Sequence, residues 1–202
     1  ISSAQSAFLA KKSTHDSYLY VQNAVRSLHH RRTPALLLKL DIAKAFDNVS
    51  WEYLLQLLQA LGFPARWRDW IAMLLKTSTS SFLLNGAAGN KIWLRRDLRQ
   101  DDPLSPLLFI IAIDPLHRLL QRATELGQLD PIPGRDLALR LSLYADDAII
   151  FANPVKEEID TLMSIIHDFG LASGLKVNLQ KSSVATIRCQ INLQQVLQNF
   201  GG

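Results

Sequence analysis

From residue 14 to residue 30 apolar side chains recur at helical spacing, with Tyr18, Val21, Val25 and Leu28 on one face. Arg26, His29, His30, Arg31 and Arg32 crowd its end, where positive charge favours a helix C-terminus. Pro34 breaks the period, and Ala35-Leu36-Leu37-Leu38-Lys39-Leu40-Asp41 reads as a buried strand that ends in a carboxylate. Ser50 caps a helix bearing Glu52 in its first turn and Leu54, Leu57, Leu58 and Leu61 on one side, and Gly62 closes it. Pro64 opens another helix, whose stripe of Trp67, Trp70, Ile71, Leu74 and Leu75 is expected to lie in the core.

Residues 80 to 95 predict a hairpin, with Asn85-Gly86 and Gly89-Asn90 as turn chemistry between Phe82-Leu83-Leu84 and Ile92-Trp93-Leu94. A polar segment from Asp97 to Pro106 feeds an apolar helix over about 107–126, with Ser105 as cap and Pro106 at its first position. A Pro- and Gly-containing connector covers 127–137. Leu139 to Leu143 then alternates apolar and polar, Tyr144-Ala145-Asp146-Asp147 makes a tip, and Ala148-Ile149-Ile150-Phe151 runs back as an apolar strand. After Asn153-Pro154 a helix carries Ile159, Leu162, Met163, Ile166 and Phe169 and ends before Gly174. A strand near Ser183 to Ile187 and a helix near Gln194 to Phe200 finish the pattern, which contains no internal repeat.

The chain of 202 residues suffices for one packed domain, or for one with a small subdomain. No apolar run approaches the roughly 18 residues of a membrane span, so none is expected. The formal charge of +4 is a mild basic excess that suits a polyanionic partner. Cys189 is the single cysteine, which excludes an intrachain disulfide and reads as a small buried hydrophobe, and the histidines do not sit at zinc-ligand spacings. The N-terminus has neither a signal-peptide pattern nor an initiator Met, so both ends read as cuts through a longer polypeptide.

Chemistry enters with the aspartates. Asp is a poor strand former, so an Asp pair between two apolar strands calls for a reason, and taken alone that reason is most simply an ordinary Asp-Asp turn. Asp41 and the pair Asp146-Asp147 lie far apart in sequence, yet each stands at the end of an apolar strand. If those strands share a sheet, three carboxylates converge, and like charges at close range need raised pKa values or bound cations. Two Mg²⁺ ions, with Mn²⁺ as a substitute, would supply the cations, because hard oxygen ligands suit them and a two-metal site serves phosphoryl transfer.

Four ordered segments resemble the A, B, C and D motifs of reverse transcriptases. They are Leu40-Asp41-Ile42-Ala43-Lys44-Ala45-Phe46-Asp47, Leu98-Arg99-Gln100-Asp101-Asp102-Pro103-Leu104-Ser105-Pro106, Tyr144-Ala145-Asp146-Asp147, and Gly174-Leu175-Lys176-Val177-Asn178 through Lys181-Ser182. Gln5-Ser6-Ala7-Phe8 and His15-Asp16 also look like the stretch before motif A, and the whole is most similar to non-LTR, LINE-type retrotransposon polyproteins. The resemblance implies an α+β, right-hand polymerase palm with partial fingers, an antiparallel sheet packed on helices and no thumb. Residues 1–34 would form a fingers-like N-terminal part, and 35–202 a palm with a fingers insertion at about 63–110. It implies an RNA-directed DNA polymerase that extends a DNA primer on an RNA template with deoxynucleoside triphosphates. Elsewhere in the polyprotein would lie an endonuclease and a thumb.

By motif position the resemblance assigns Asp41 and Asp146 to the metals, with Asp147 the less essential neighbour and the Ile42 carbonyl a further ligand. Phe46 would be a steric gate against a ribose 2′-OH, although an aromatic at that spacing also serves simple core packing. Gln100 would contact the incoming nucleotide, Arg99 the neighbourhood of the templating base, and Lys181 would protonate the pyrophosphate leaving group. Lys12 would meet nucleotide phosphates in place of the family's Arg, without its bidentate geometry. The chain departs from the pattern at Asp97 and Asp101, where the family carries glycine. A carboxylate about 6 Å from a triphosphate charge costs on the order of 3 kcal/mol at an effective dielectric near 20. These departures suggest a degenerate copy of weak activity or, alternatively, an inactive nucleic-acid-binding remnant of the same fold. An unrelated Mg²⁺-dependent hydrolase built on the same carboxylates is a further alternative.

Overall fold

The computed structural model describes residues 1–99, 102–133 and 139–189. Its elements are α1 (Thr14–His30), β1 (Ala35–Leu40), α2 (Trp51–Ala60), α3 (Ala65–Lys76), β2 (Thr79–Ser80), β3 (Leu83–Leu84), β4 (Ala87–Ala88), β5 (Ile92–Trp93), α4 (Ser105–Glu125), β6 (Leu141–Tyr144), β7 (Asp147–Ala152), α5 (Lys156–Ser173) and β8 (Ser183–Ile187). The helix expected at 194–200 lies outside the described residues.

Four strands pair antiparallel in the order β6-β7-β1-β8, so the class is α+β. The near-continuous apolar run of β1 is explained by its central place, with both faces covered. Leu36, Leu38 and Leu40 share one face with Ala148, Ile150 and Ala152 of β7, and that face packs on Leu54 and Leu58 of α2, Phe109 and Ile113 of α4, and Leu162 and Ile166 of α5. The opposite face carries Ala35, Leu37, Ile149, Phe151 and Ile187 beneath Ala24, Leu28, Val21 and Val25 of α1. The strand period of two thus separates a thick helical layer from a single covering helix. The first residues add to the sheet: Leu143 donates its N–H to Ala4 and accepts from Ser6, which seats Gln5 parallel to β6.

The N-termini of α1 and α2 carry side-chain caps. Ser13 and Asp16 form a reciprocal capping box on α1, and Ser50 Oγ accepts the Tyr53 N–H at α2. Ser105 does not cap α4. It is the first helical residue and is buried, while the Asp102 carboxylate accepts the Leu104 N–H at 2.9 Å and the Asp102 carbonyl accepts the Ser105 N–H. α5 stops at Gly174, whose φ of +84° is left-handed and whose missing Cβ would stand 2.0 Å from the Asn48 carbonyl oxygen.

The tryptophan stripe of α3 is only half core. Ile71 and Leu75 are buried, whereas Trp70 is 52% and Leu74 is 53% exposed. One residue of helix turns a side chain by about 100°, so the neighbours of Ile71 and Leu75 swing off the packed face. There the Arg66 guanidinium lies 5.0 Å from the Trp70 ring centre. The hairpin over 80–95 turns at Asn85-Gly86, but its pairing differs from that expected: Leu83-Leu84 (β3) pairs with Ala87-Ala88 (β4) and Ile92-Trp93 (β5) with Thr79-Ser80 (β2), which leaves Phe82, Leu83, Leu84 and Trp93 exposed.

Candidate active site

The site grows from a strand register. Leu40 and Ala148 are the last pair of the β1/β7 ladder, so Asp41 leaves the end of β1 at the edge where Asp147 opens β7. The β6–β7 hairpin pairs Tyr144 with Asp147, leaving Ala145 and Asp146 as a two-residue loop. Tight hairpin loops of this length need a positive φ at their first residue, and Ala145 has +53°. Its N–H donates to Gln5 Oε1 at 3.2 Å, so the N-terminal segment supports the loop.

Asp41 is fixed by its backbone. Its carbonyl accepts the Asn178 N–H at 2.7 Å, and its N–H donates to Ser182 Oγ at 3.1 Å. Ala43 N–H bonds to the Lys176 carbonyl, and Ile42 bridges antiparallel to Val177. Since residues 41 and 43 both bond toward 176–178, strand alternation turns the Ile42 carbonyl the other way, to the side from which β7 starts. Lys181 is exposed on the turn between Asn178 and Ser182, the same turn that holds Asp41.

The side chains of the three aspartates do not make a ready cage. Among the described residues no group of three His, Cys, Asp or Glu side chains could hold a metal ion, so the expected convergence of three carboxylates is corrected to a looser arrangement. Asp147, 63% exposed, leans to Lys39 at 3.7 Å.

Around this centre the other expected residues take varied places. Phe46 is half-buried, stacks on Phe109 at 4.6 Å and 23°, and accepts the Leu98 N–H through its carbonyl. Lys12 Nζ donates to the carbonyls of Ser3 at 3.0 Å and Gln5 at 2.8 Å, which brings it to the segment supporting the Asp146 loop. Arg99 is tied to α3, with Nε on Ser78 Oγ at 3.0 Å and Nη2 on Thr77 Oγ1 at 3.3 Å. Gln100 and Asp101 lie outside the described residues. Asp97 takes a φ of +115°, in glycine's territory, and its carbonyl accepts Trp51 Nε1–H at 2.7 Å. Desolvation, and then the charge of Asp47, raise the Asp97 carboxyl above its ordinary pKa, while Arg99 pulls it down. Asp47, Asp97 and Arg99 line an open cleft of about 360 Å³ with Ser78, Thr79, Ser80 and Leu94.

Gln5, Lys39, Asn178 and Ser182 are parts of the site to which the sequence pattern gave no role.

The sequence profile of the family described as reverse transcriptase (RNA-dependent DNA polymerase) matches residues 1–197. This chain belongs to the reverse transcriptase family. Its relatives include the retrovirus-related Pol polyprotein of the type-2 retrotransposable element R2DM of Drosophila melanogaster, 27% identical over 92% of this chain and 17% of the polyprotein. Another is the transposon TX1 uncharacterized 149 kDa protein of Xenopus laevis, 32% identical over 79% of this chain and 12% of that protein. The chain therefore spans under a fifth of the length of these curated relatives, and it is a reverse transcriptase domain of the non-LTR retrotransposon kind. Among solved structures, telomerase from Candida albicans, in complex with the TWJ fragment of telomeric RNA, superposes with a TM-score of 0.62 at 16% identity over 90% of this chain and 32% of that one. That likeness is one of fold. No helix among the described residues is long and apolar enough to cross a membrane.

Proposed function

We propose that this reverse transcriptase domain forms the palm and partial fingers of an RNA-directed DNA polymerase, in which residues 1–34 and an insertion at about 63–110 belong to the fingers and the remainder of 35–202 to the palm. The observation that supports the reading is the β1/β7 register: Leu40 pairs with Ala148, so Asp41 follows the end of β1 where Asp147 begins β7, next to the loop residue Asp146. RNA template, DNA primer and deoxynucleoside triphosphates are the partners.

The donor set fits Mg²⁺, or Mn²⁺ in its place. Mg²⁺ is usually held by one or two carboxylates together with substrate phosphates, not by an all-protein cage. Asp41, Asp146 and the Ile42 carbonyl are hard oxygen ligands of that kind. When bound, the two ions supply charge neutralisation and activation of the primer oxygen. Asp147 acts mainly on the local field. Lys181, mobile on its turn, delivers a proton to the leaving pyrophosphate. Lys12 meets the phosphates, Gln100 and Arg99 border the nucleotide and the template, and Phe46, backed by Phe109, excludes a 2′-OH.

A second reading, a catalytically weak or inactive nucleic-acid-binding remnant, is favoured by one observation: Asp97 carries both a positive φ and a carboxylate where the family has glycine. Primer extension on poly(rA)/oligo(dT) separates the two. The first reading expects incorporation that needs Mg²⁺ or Mn²⁺ and disappears in Asp41→Asn. Retained binding of the primer–template with no incorporation supports the remnant, and incorporation indifferent to Asp41→Asn sinks the active-site assignment.

A further inference from the structure

Gln5 is fully buried at the start of the chain, and its side-chain oxygen collects three backbone donors. Ser6 N–H donates at 2.9 Å, Ala7 N–H at 2.8 Å and Ala145 N–H at 3.2 Å. Three converging N–H groups admit only an oxygen, which settles the orientation of the amide. The other end of that amide, Nε2, is buried with no hydrogen-bond partner among the described residues. An orphaned buried donor is costly, so this position favours its residue for the acceptor alone.

The acceptor lies at a strategic place. Ala145 is a non-glycine residue at φ +53°, a conformation that L residues resist, and the adjoining residue is Asp146. Its N–H needs a partner that holds this backbone, and the partner is 140 residues away in sequence. The backbone of Gln5 is itself pinned, by its bridge to Leu143 and by Lys12 Nζ on its carbonyl.

We infer that Gln5 is a positioning residue of the catalytic centre: through the Ala145 N–H it fixes the left-handed turn that aims the Asp146 carboxylate. This rests on the polymerase reading for the role of Asp146, but the turn itself can be followed separately. The Nε2 group contributes nothing to it, so Gln5→Glu preserves the three acceptor contacts, whereas Gln5→Met, similar in length, removes them. Ala145→Gly removes the need for support, since glycine adopts positive φ without cost.

The test combines two readouts on the full chain: hydrogen exchange at the Ala145 amide, and Mn²⁺ affinity by electron paramagnetic resonance. Slow exchange is expected in the wild type and Gln5→Glu and fast exchange in Gln5→Met. Mn²⁺ affinity should fall on the order of fivefold in Gln5→Met, as for the loss of one hydrogen bond, and recover when Ala145→Gly is added. Unchanged exchange in Gln5→Met overturns the inference. A fall in affinity that Ala145→Gly fails to rescue, in step with a fall in melting temperature, also overturns it, because Gln5 then acts only in packing. If wild type and Asp41→Asn bind Mn²⁺ alike, the polymerase reading fails, while the Ala145 exchange still decides whether Gln5 sets the turn.

Discussion

Ser182 Oγ accepts the backbone N–H of Asp41 at 3.1 Å and donates its own O–H to the Asn178 carbonyl at 2.8 Å. A single hydroxyl thus couples the turn bearing Lys181 to the residue proposed to hold metal. Ser182→Ala leaves the Asp41 N–H without that partner, at a cost of about 1 kcal/mol, or roughly 2–4 °C in melting temperature for a chain of this size. Mn²⁺ affinity is expected to fall with it, by calorimetric titration. Ser182→Thr keeps the hydroxyl and should retain most of both.

Gly174, at the end of α5, lies directly against the backbone of Asn48 and Ser50. An alanine there meets the Asn48 carbonyl at 2.0 Å and must also adopt φ +84°. The two penalties together amount to roughly 2–5 kcal/mol, and urea unfolding of Gly174→Ala should show a loss in that range.

Asp97→Gly is expected to stabilise the fold. The strained φ of +115° is relieved by about 1 kcal/mol or more, and a partly buried carboxylate facing Asp47 disappears. Because the folded-state pKa of Asp97 is raised, the native form holds its proton more tightly than the unfolded chain. Its electrostatic penalty is therefore absent below the ordinary Asp pKa and develops as pH rises through the raised folded value. The melting-temperature gain of Asp97→Gly should accordingly be larger near pH 7 than near pH 3. An equal gain at both would assign the whole effect to backbone strain.

Lys39 and Asp147 are both more than half exposed, so their contact at 3.7 Å contributes little stability. Lys39→Ala should leave the melting temperature nearly unchanged. It removes a positive charge beside the proposed metal site, so Mn²⁺ binding should tighten by roughly a few-fold at low salt and less at high salt.

The sequence pattern located most elements because local signals and tertiary burial agree there. β8 falls where Ser183 to Ile187 was expected, and the Ser50 cap forms as expected. Disagreement arose where long-range packing decides. The stripe of Trp67, Trp70, Ile71, Leu74 and Leu75 has helical period, yet period alone cannot say how much of it meets a neighbour, and the side with Trp70 and Leu74 meets none that buries it. The site was legible in its carboxylates, since Asp41, Asp146 and Asp147 each interrupt apolar sequence. Its supports were not legible: Gln5 reaches Ala145 and Ser182 reaches Asp41 through backbone groups, which carry no side-chain signature.

The central place of β1 also sets an order of events during synthesis. Its apolar Ala35–Leu40 run pairs with β7 and β8, both made more than a hundred residues later. At the usual translation rates of about 5–20 residues per second, that strand waits on the order of ten seconds with neither edge satisfied. During this interval it is a template for other chains. Yield from expression should therefore respond to slower synthesis or to chaperone supply more strongly than the stability of the finished fold suggests.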